Sequence, residues 1–207
     1  MRGFGLSAVF LPALLLGSTG LAAADDPAPN AALTYHKGQF GASARFSLGA
    51  RAIVTYDNNV YCGKTDPQAE FGFATVCTGM TPLALDLELS YGLKSTIELV
   101  LEMRLGVESD FGSMPGADGP HPFFLAPGAR FFFSDSARAK FFVQPEIVLD
   151  FGGYSTGNDF GLRGIEGLWI DLHRSYGLYF YVGETLGFSR WLSASFEAGV
   201  GFQGRYP

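Results

Sequence analysis

Long hydrophobic runs are scarce in this 207-residue sequence. Beyond its first two dozen residues, no charge-free apolar stretch approaches the roughly 20 residues that a membrane-spanning helix needs. If the mature chain enters a membrane, it must do so as a closed barrel, the other structure that satisfies every backbone group in lipid. Charge is also sparse: 16% of residues are Asp, Glu, Lys or Arg, and the net charge is -6. With no basic stripe, a nucleic-acid partner is disfavoured. There are only two cysteines, Cys62 and Cys77, and three histidines, His36, His121 and His173. Without CxxC spacing or a nearby His, the cysteines do not suit a metal or redox centre, and neither a metal nor a cofactor is expected. His121 with Asp110 or Asp118 is the sole outer-rim set resembling a Ser-His-Asp arrangement. It lies in a Gly/Asp/Pro-rich stretch that reads as solvated turn, so no catalytic residue is assigned. Gly199-Val-Gly201-Phe-Gln-Gly204 matches a dinucleotide fingerprint, but it sits inside a terminal strand with no helix after it. Its glycines are expected beside bulky interior side chains.

What the sequence does have is alternation. From Leu83 to Val107, Leu83, Leu85, Leu87, Leu89, Tyr91 and Leu93 share one face, and Ile97, Leu99, Leu101, Met103, Leu105 and Val107 share the next. Period two means strand. Both apolar faces fall on odd numbers, so facing residues sum to an even number and a three-residue hairpin loop fits between them. The same pattern gives a first strand over 40–54, a fourth over 123–133, a fifth ending at Phe151 and a last one after Leu192. Two further strands, over 159–172 and 177–188, make eight. In these two, Glu166 and Glu184 fall in the apolar register, and a β-bulge near Gly164 or Gly167 would restore the first of them. Long connections alternate with short ones along the chain.

Residues 1–24 read as a signal peptide: Arg2 is followed by an apolar Phe10–Leu16 run and an A-x-A site at Ala22–Ala24. Residues 25–39 read as a flexible leader and 40–207 as one barrel domain. In an exported chain, Cys62 and Cys77 in one loop read as a disulfide. In the chain-entropy model, closing a loop of about 15 residues is worth roughly 3 kcal/mol.

A soluble barrel and a membrane barrel are each other turned inside out. Four features favour the membrane: a uniformly large apolar face, a polar face mixing Gly and Ser with charge, long loops collected at one end, and aromatic residues gathered at both ends. In this pattern the chain resembles the small eight-stranded outer-membrane β-barrel proteins of Gram-negative bacteria. The resemblance covers Phe40 to Pro207 and implies an all-β, antiparallel, up-and-down transmembrane barrel. It also implies outer-membrane lipid as surroundings and the barrel-assembly machinery as a partner. Chains of that kind usually end in an aromatic residue, whereas this one ends Tyr206-Pro207.

One constellation stands out on the polar face. Asp86, Glu88, Glu98 and Glu102 crowd the second and third strands, with Arg45 and Arg51 on the strand before, Arg104 among them and Arg130 on the strand after. Buried charge without a partner is prohibitive, so these are expected to form a structural network. An eight-stranded lumen is just wide enough for side chains to fill it. The expected role is therefore a non-enzymatic outer-membrane barrel with a plugged interior, displaying surface loops in a structural or interaction role. The alternatives are a barrel enzyme acting on lipid A and a soluble exported barrel that binds a hydrophobic ligand.

Overall fold

The computed structural model describes residues 36–54, 76–110, 119–152, 158–189 and 191–206. They form nine strands: β1 (Phe40–Val54), β2 (Val76–Met80), β3 (Ala84–Lys94), β4 (Ile97–Gly106), β5 (Phe123–Phe132), β6 (Ala139–Asp150), β7 (Asp159–His173), β8 (Tyr176–Gly187) and β9 (Leu192–Tyr206). Eight of them, β1 and β3 to β9, pair antiparallel with their neighbours in chain order. The sheet closes because β1 pairs with β9 along its whole length, from Phe40 opposite Tyr206 to Val54 opposite Leu192. Closure leaves no free edge in the main wall.

β2 lies within a stretch that reads as loop. It continues the edge that β3 leaves open: β3 covers Phe40–Phe46 of β1, and β2 covers Ala50–Val54. Leu83 keeps its place in the apolar alternation but precedes the first residue of β3. The β3–β4 turn is two residues, Ser95 and Thr96, with a register shift between Gly92 and Lys94. That shift absorbs the extra residue and preserves the even-sum pairing, as in Leu89 opposite Leu101.

Alternation sets the two faces. Leu48 is 68% exposed and Leu101 45%, whereas Arg45 and Glu102 are fully buried. The apolar face is therefore the outside and the charged face the lumen. β7 runs without a bulge across Glu166, and its one register shift lies at Asp171–His173. Glu166 and Glu184 consequently stay in register and point outward. Tertiary pairing on both sides holds the strand straight: Glu166 is opposite Val143 on β6 and Val182 on β8. Trp191, next to the start of β9, is not among the outward aromatic residues: it is buried.

The seam between β5 and β6 is the least regular. Phe133 N–H donates to the Phe141 carbonyl and Phe151 N–H to the Phe123 carbonyl, so odd-numbered residues hydrogen-bond across it. Pro127 and Pro145 are both odd, and each removes a donor from this one seam. Between its paired ends the ladder holds only where Gly128 faces Glu146.

Candidate functional site

Inward-facing residues fill the lumen in three tiers. Nearest the long-loop end, Arg104 of β4 forks onto two carboxylates. Its Nε and Nη2 donate to Asp86 at 2.6 and 2.8 Å, and its Nη1 and Nη2 donate to Glu197 at 2.6 and 2.7 Å. Asp86 belongs to adjacent β3, but Glu197 lies on β9, across the lumen. Arg163 of β7 adds a bond to Glu197 at 3.1 Å. Both guanidinium groups lie over the Phe124 ring.

The middle tier joins Arg45 of β1 to Glu102 of β4, past the intervening β3. Arg130 donates to Glu88 at 2.6 Å, to Glu98 at 3.0 Å and to the Gln144 side-chain oxygen at 2.6 Å. The Gln144 amide in turn donates to Glu88 and Glu146, both at 2.8 Å. Carboxylate oxygens of Glu88, Glu102 and Glu146 converge to within 4.8 Å of one another, a spacing that suits a metal ion. Guanidinium groups already supply the positive charge there: Arg130 on Glu88, Arg45 on Glu102, and Arg163 at 3.5 Å from Glu102 and 3.8 Å from Glu146.

At the short-turn end the site takes in His36, which the sequence reading places in a flexible leader. His36 is buried. Its Nδ1 lies 2.7 Å from Glu98, while its Nε2 meets Lys140 at 3.0 Å and also Arg205. The same Nε2 also lies 3.4 Å from the Asp171 carboxylate. Lys140 also reaches Asp171 at 2.8 Å, and the Trp169 indole donates to the same carboxylate at 2.8 Å. Backbone ties hold the segment in place: Gly38 N–H donates to the Gly92 carbonyl, and Gly92 N–H to that of Gln39.

An aromatic wall packs against the ions. Trp169 and Tyr179 stack at 4.9 Å with their planes 9° apart, and Phe132, Phe142 and Tyr181 complete the cluster. Gly199 and Gly201 of β9 make room for it, since a Cβ on either would strike Tyr181 or Tyr179 respectively.

No protein-family model matches the sequence, and no curated protein does. Solved structures do match. One is the N-terminal β-barrel domain of Pseudomonas aeruginosa OprF, with 11% identity over 82% of this chain and 98% of that one, at a TM-score of 0.51. Another is Neisserial surface protein A, with 12% identity over 82% and 100%, at a TM-score of 0.52. The fold is that of the small eight-stranded outer-membrane barrels. On such a barrel the outward apolar belt is the surface that meets lipid, and the ion pairs lie inside it.

Within this barrel fold, seven of the eight charged residues singled out from the sequence share the lumen network. Arg51 stands apart: it pairs with Asp110 near the long-loop rim, at 2.8 Å, rather than with the acids of β3 and β4. Six residues beyond Arg45 toward the rim, Arg51 lies past the reach of that cluster, and a loop carboxylate is nearer. Because Asp110 is so engaged, it does not join His121, which is exposed. Asp118 and Cys62 lie outside the described residues, while Cys77 is buried on β2 opposite Ile53.

Sequence reasoning missed Glu146, Arg163, Lys140, Asp171, Glu197, Arg205 and His36. Most of these sit at inward positions of the same alternation, so parity alone would have found them. His36 carries no such signal, because it precedes the first strand.

Proposed function

We propose that this protein is a non-enzymatic barrel of the Gram-negative outer membrane whose lumen is closed by its own ion pairs. In this reading the barrel is a scaffold for its long loops, which serve a structural or surface-interaction role. The observation that carries the proposal is that ion pairs join strands that are not neighbours: Arg104 on β4 with Glu197 on β9, three strands round the barrel, and Arg163 on β7 with Asp86 on β3, on the opposite wall. Charged groups that already bond one another across a lumen of this width leave no continuous aqueous path. A disulfide between Cys62 and Cys77 belongs to the same proposal, as a clasp on the first long loop. Its loss should loosen that loop and leave the barrel folded.

The test is electrical. Purified protein in a planar bilayer should give no steady, stepwise ion conductance. Steady steps that disappear in Glu102→Gln or Arg104→Met would make the network a conduction path and overturn the closed-lumen reading.

A further inference from the structure

We propose that the short-turn end carries a basic collar, Lys37, Lys94, Arg138 and Arg174, that binds the anionic headgroups of glycerophospholipids in the leaflet on that side. Among the described residues, these four are every exposed Lys and Arg. They come from separate pieces of chain: Lys37 ahead of β1, Lys94 at the end of β3, Arg138 just before β6, and Arg174 between β7 and β8. Folding nevertheless brings all four to one end of the barrel. The exposed acid beside them is Asp135, in the β5–β6 turn. At the long-loop end the signs are reversed. Glu108, Asp150 and Asp159 stand at or beyond the strand ends there, and Arg51 is half-buried against Asp110. A surface shaped only for solubility intersperses the two signs. Here they are sorted by end.

The depth of these cations follows from the aromatic residues beside them. Phe40, Tyr91, Phe141 and Tyr176 are exposed on the outer face at the same end. Aromatic residues in that position lie at the level of the headgroups. Each cation is two or three residues along the chain from one of them: Lys37 from Phe40, Lys94 from Tyr91, Arg138 from Phe141 and Arg174 from Tyr176. At a strand rise of about 3.3 Å per residue, that separation is at most ~10 Å. The screening length at physiological salt is about 8 Å, so the collar feels the charge of the membrane surface. Arg138 is also held in place. Its Nε donates to the Asp171 carbonyl at 2.9 Å and its Nη2 to that of Leu172 at 3.3 Å. Less side-chain freedom is then lost when it pairs with a phosphate.

The occupant follows from charge and placement together. Lys and Arg form charge-assisted hydrogen bonds with phosphate oxygens. A headgroup whose phosphate is its one charge gains more from this than a zwitterionic headgroup, whose own ammonium repels the collar. Around the barrel, β1 and β3 are neighbours on one side, and β6 and β7 are neighbours on the other. Cations on two opposite sides suit lipids bordering the whole circumference better than one docked protein. The inference rests on the proposed membrane barrel and concerns which lipid borders it.

The experiment reconstitutes the full chain into phosphatidylcholine bilayers that carry a trace of spin-labelled phosphatidylglycerol or spin-labelled phosphatidylcholine. The motionally restricted fraction of each label gives their relative association with the protein. Wild type should favour phosphatidylglycerol by about twofold or more. Lys37→Gln/Lys94→Gln/Arg138→Gln/Arg174→Gln should bring the two lipids to equality, and Asp135→Asn should widen the preference. The triple variant that keeps Arg138 should lose most of the preference, which separates lipid binding from the backbone contacts of Arg138. At 1 M sodium chloride, where the screening length is about 3 Å, the preference should vanish in wild type. Faster gel migration of unheated than heated samples verifies that each variant has folded. Equal association of the two lipids with wild type would overturn the proposal and leave the membrane barrel standing. So would a preference that survives the quadruple variant or high salt. Wild type recovered outside the lipid would overturn the membrane reading and this proposal with it.

Discussion

Replacing Arg104 by Met removes the cation that joins β3, β4 and β9. Met keeps much of the aliphatic stem, so packing against Phe124 is partly retained and the loss is mainly electrostatic. Two carboxylates, Asp86 and Glu197, lose four bonds of 2.6–2.8 Å. Both are almost wholly buried, so water does not readily replace the guanidinium. Breaking a buried pair by deleting one partner typically costs about 3–5 kcal/mol. Arg163, 3.1 Å from Glu197 and 3.7 Å from Asp86, offsets part of this and sets the expectation near ~3 kcal/mol. Unfolding in urea from detergent micelles, followed by the gel shift between folded and unfolded forms, provides the measurement. With a slope of roughly 1–3 kcal/mol per molar urea, the midpoint should fall by about 1–3 M. Adding Asp86→Asn and Glu197→Gln to Arg104→Met should restore most of the loss, because the uncompensated charges are then gone. A change below ~1 kcal/mol for Arg104→Met would refute the reasoning, since only an exposed pair is worth so little. So would a triple variant less stable than the single one.

Two further outcomes follow from the geometry. Pro127→Val and Pro145→Val each return an N–H to the β5–β6 seam. A ladder bond worth ~0.5–1.5 kcal/mol in water is worth more where lipid excludes competing partners, and the added freedom of the unfolded chain takes back about 0.4–1 kcal/mol. Each variant should be more stable by about 1 kcal/mol, with new slowly exchanging amides at these positions; fast exchange there would count against the seam as described. His36→Ala leaves Lys140, Arg205 and Glu98 each one partner short and should destabilise by about 1–3 kcal/mol, whereas the exposed His121→Ala should change stability by less than ~0.5 kcal/mol. Equal effects from the two histidines would contradict the burial of His36 in the short-turn mouth.

The eight wall strands and their two faces were legible in the sequence, though β2 was not, because alternation is a local property: each residue's face is fixed by its parity in an extended chain. That parity placed Arg45, Glu88, Glu102 and Arg104 on a common face. It also placed Glu166 and Glu184 on the apolar face, where hydrophobicity argued for a bulge and the strands kept their register instead. Which acid meets which base was not legible, because it depends on how strands stagger as the sheet closes. Arg104 faces Asp86 on the neighbouring strand, a pairing that a hairpin register foretells, but its second partner comes from β9, 93 residues away. Only closure of β1 on β9 brings Glu197 across from β4. The same holds for His36: nothing periodic marks it, and its burial depends on Glu98, Lys140 and Arg205 converging from three strands at one mouth. Arg51 shows the converse. It has the parity of the network residues, yet its height in the barrel carries it to Asp110 at the rim. One-dimensional spacing determines the face of a side chain, while its height and its neighbours across the lumen exist only once the barrel has closed.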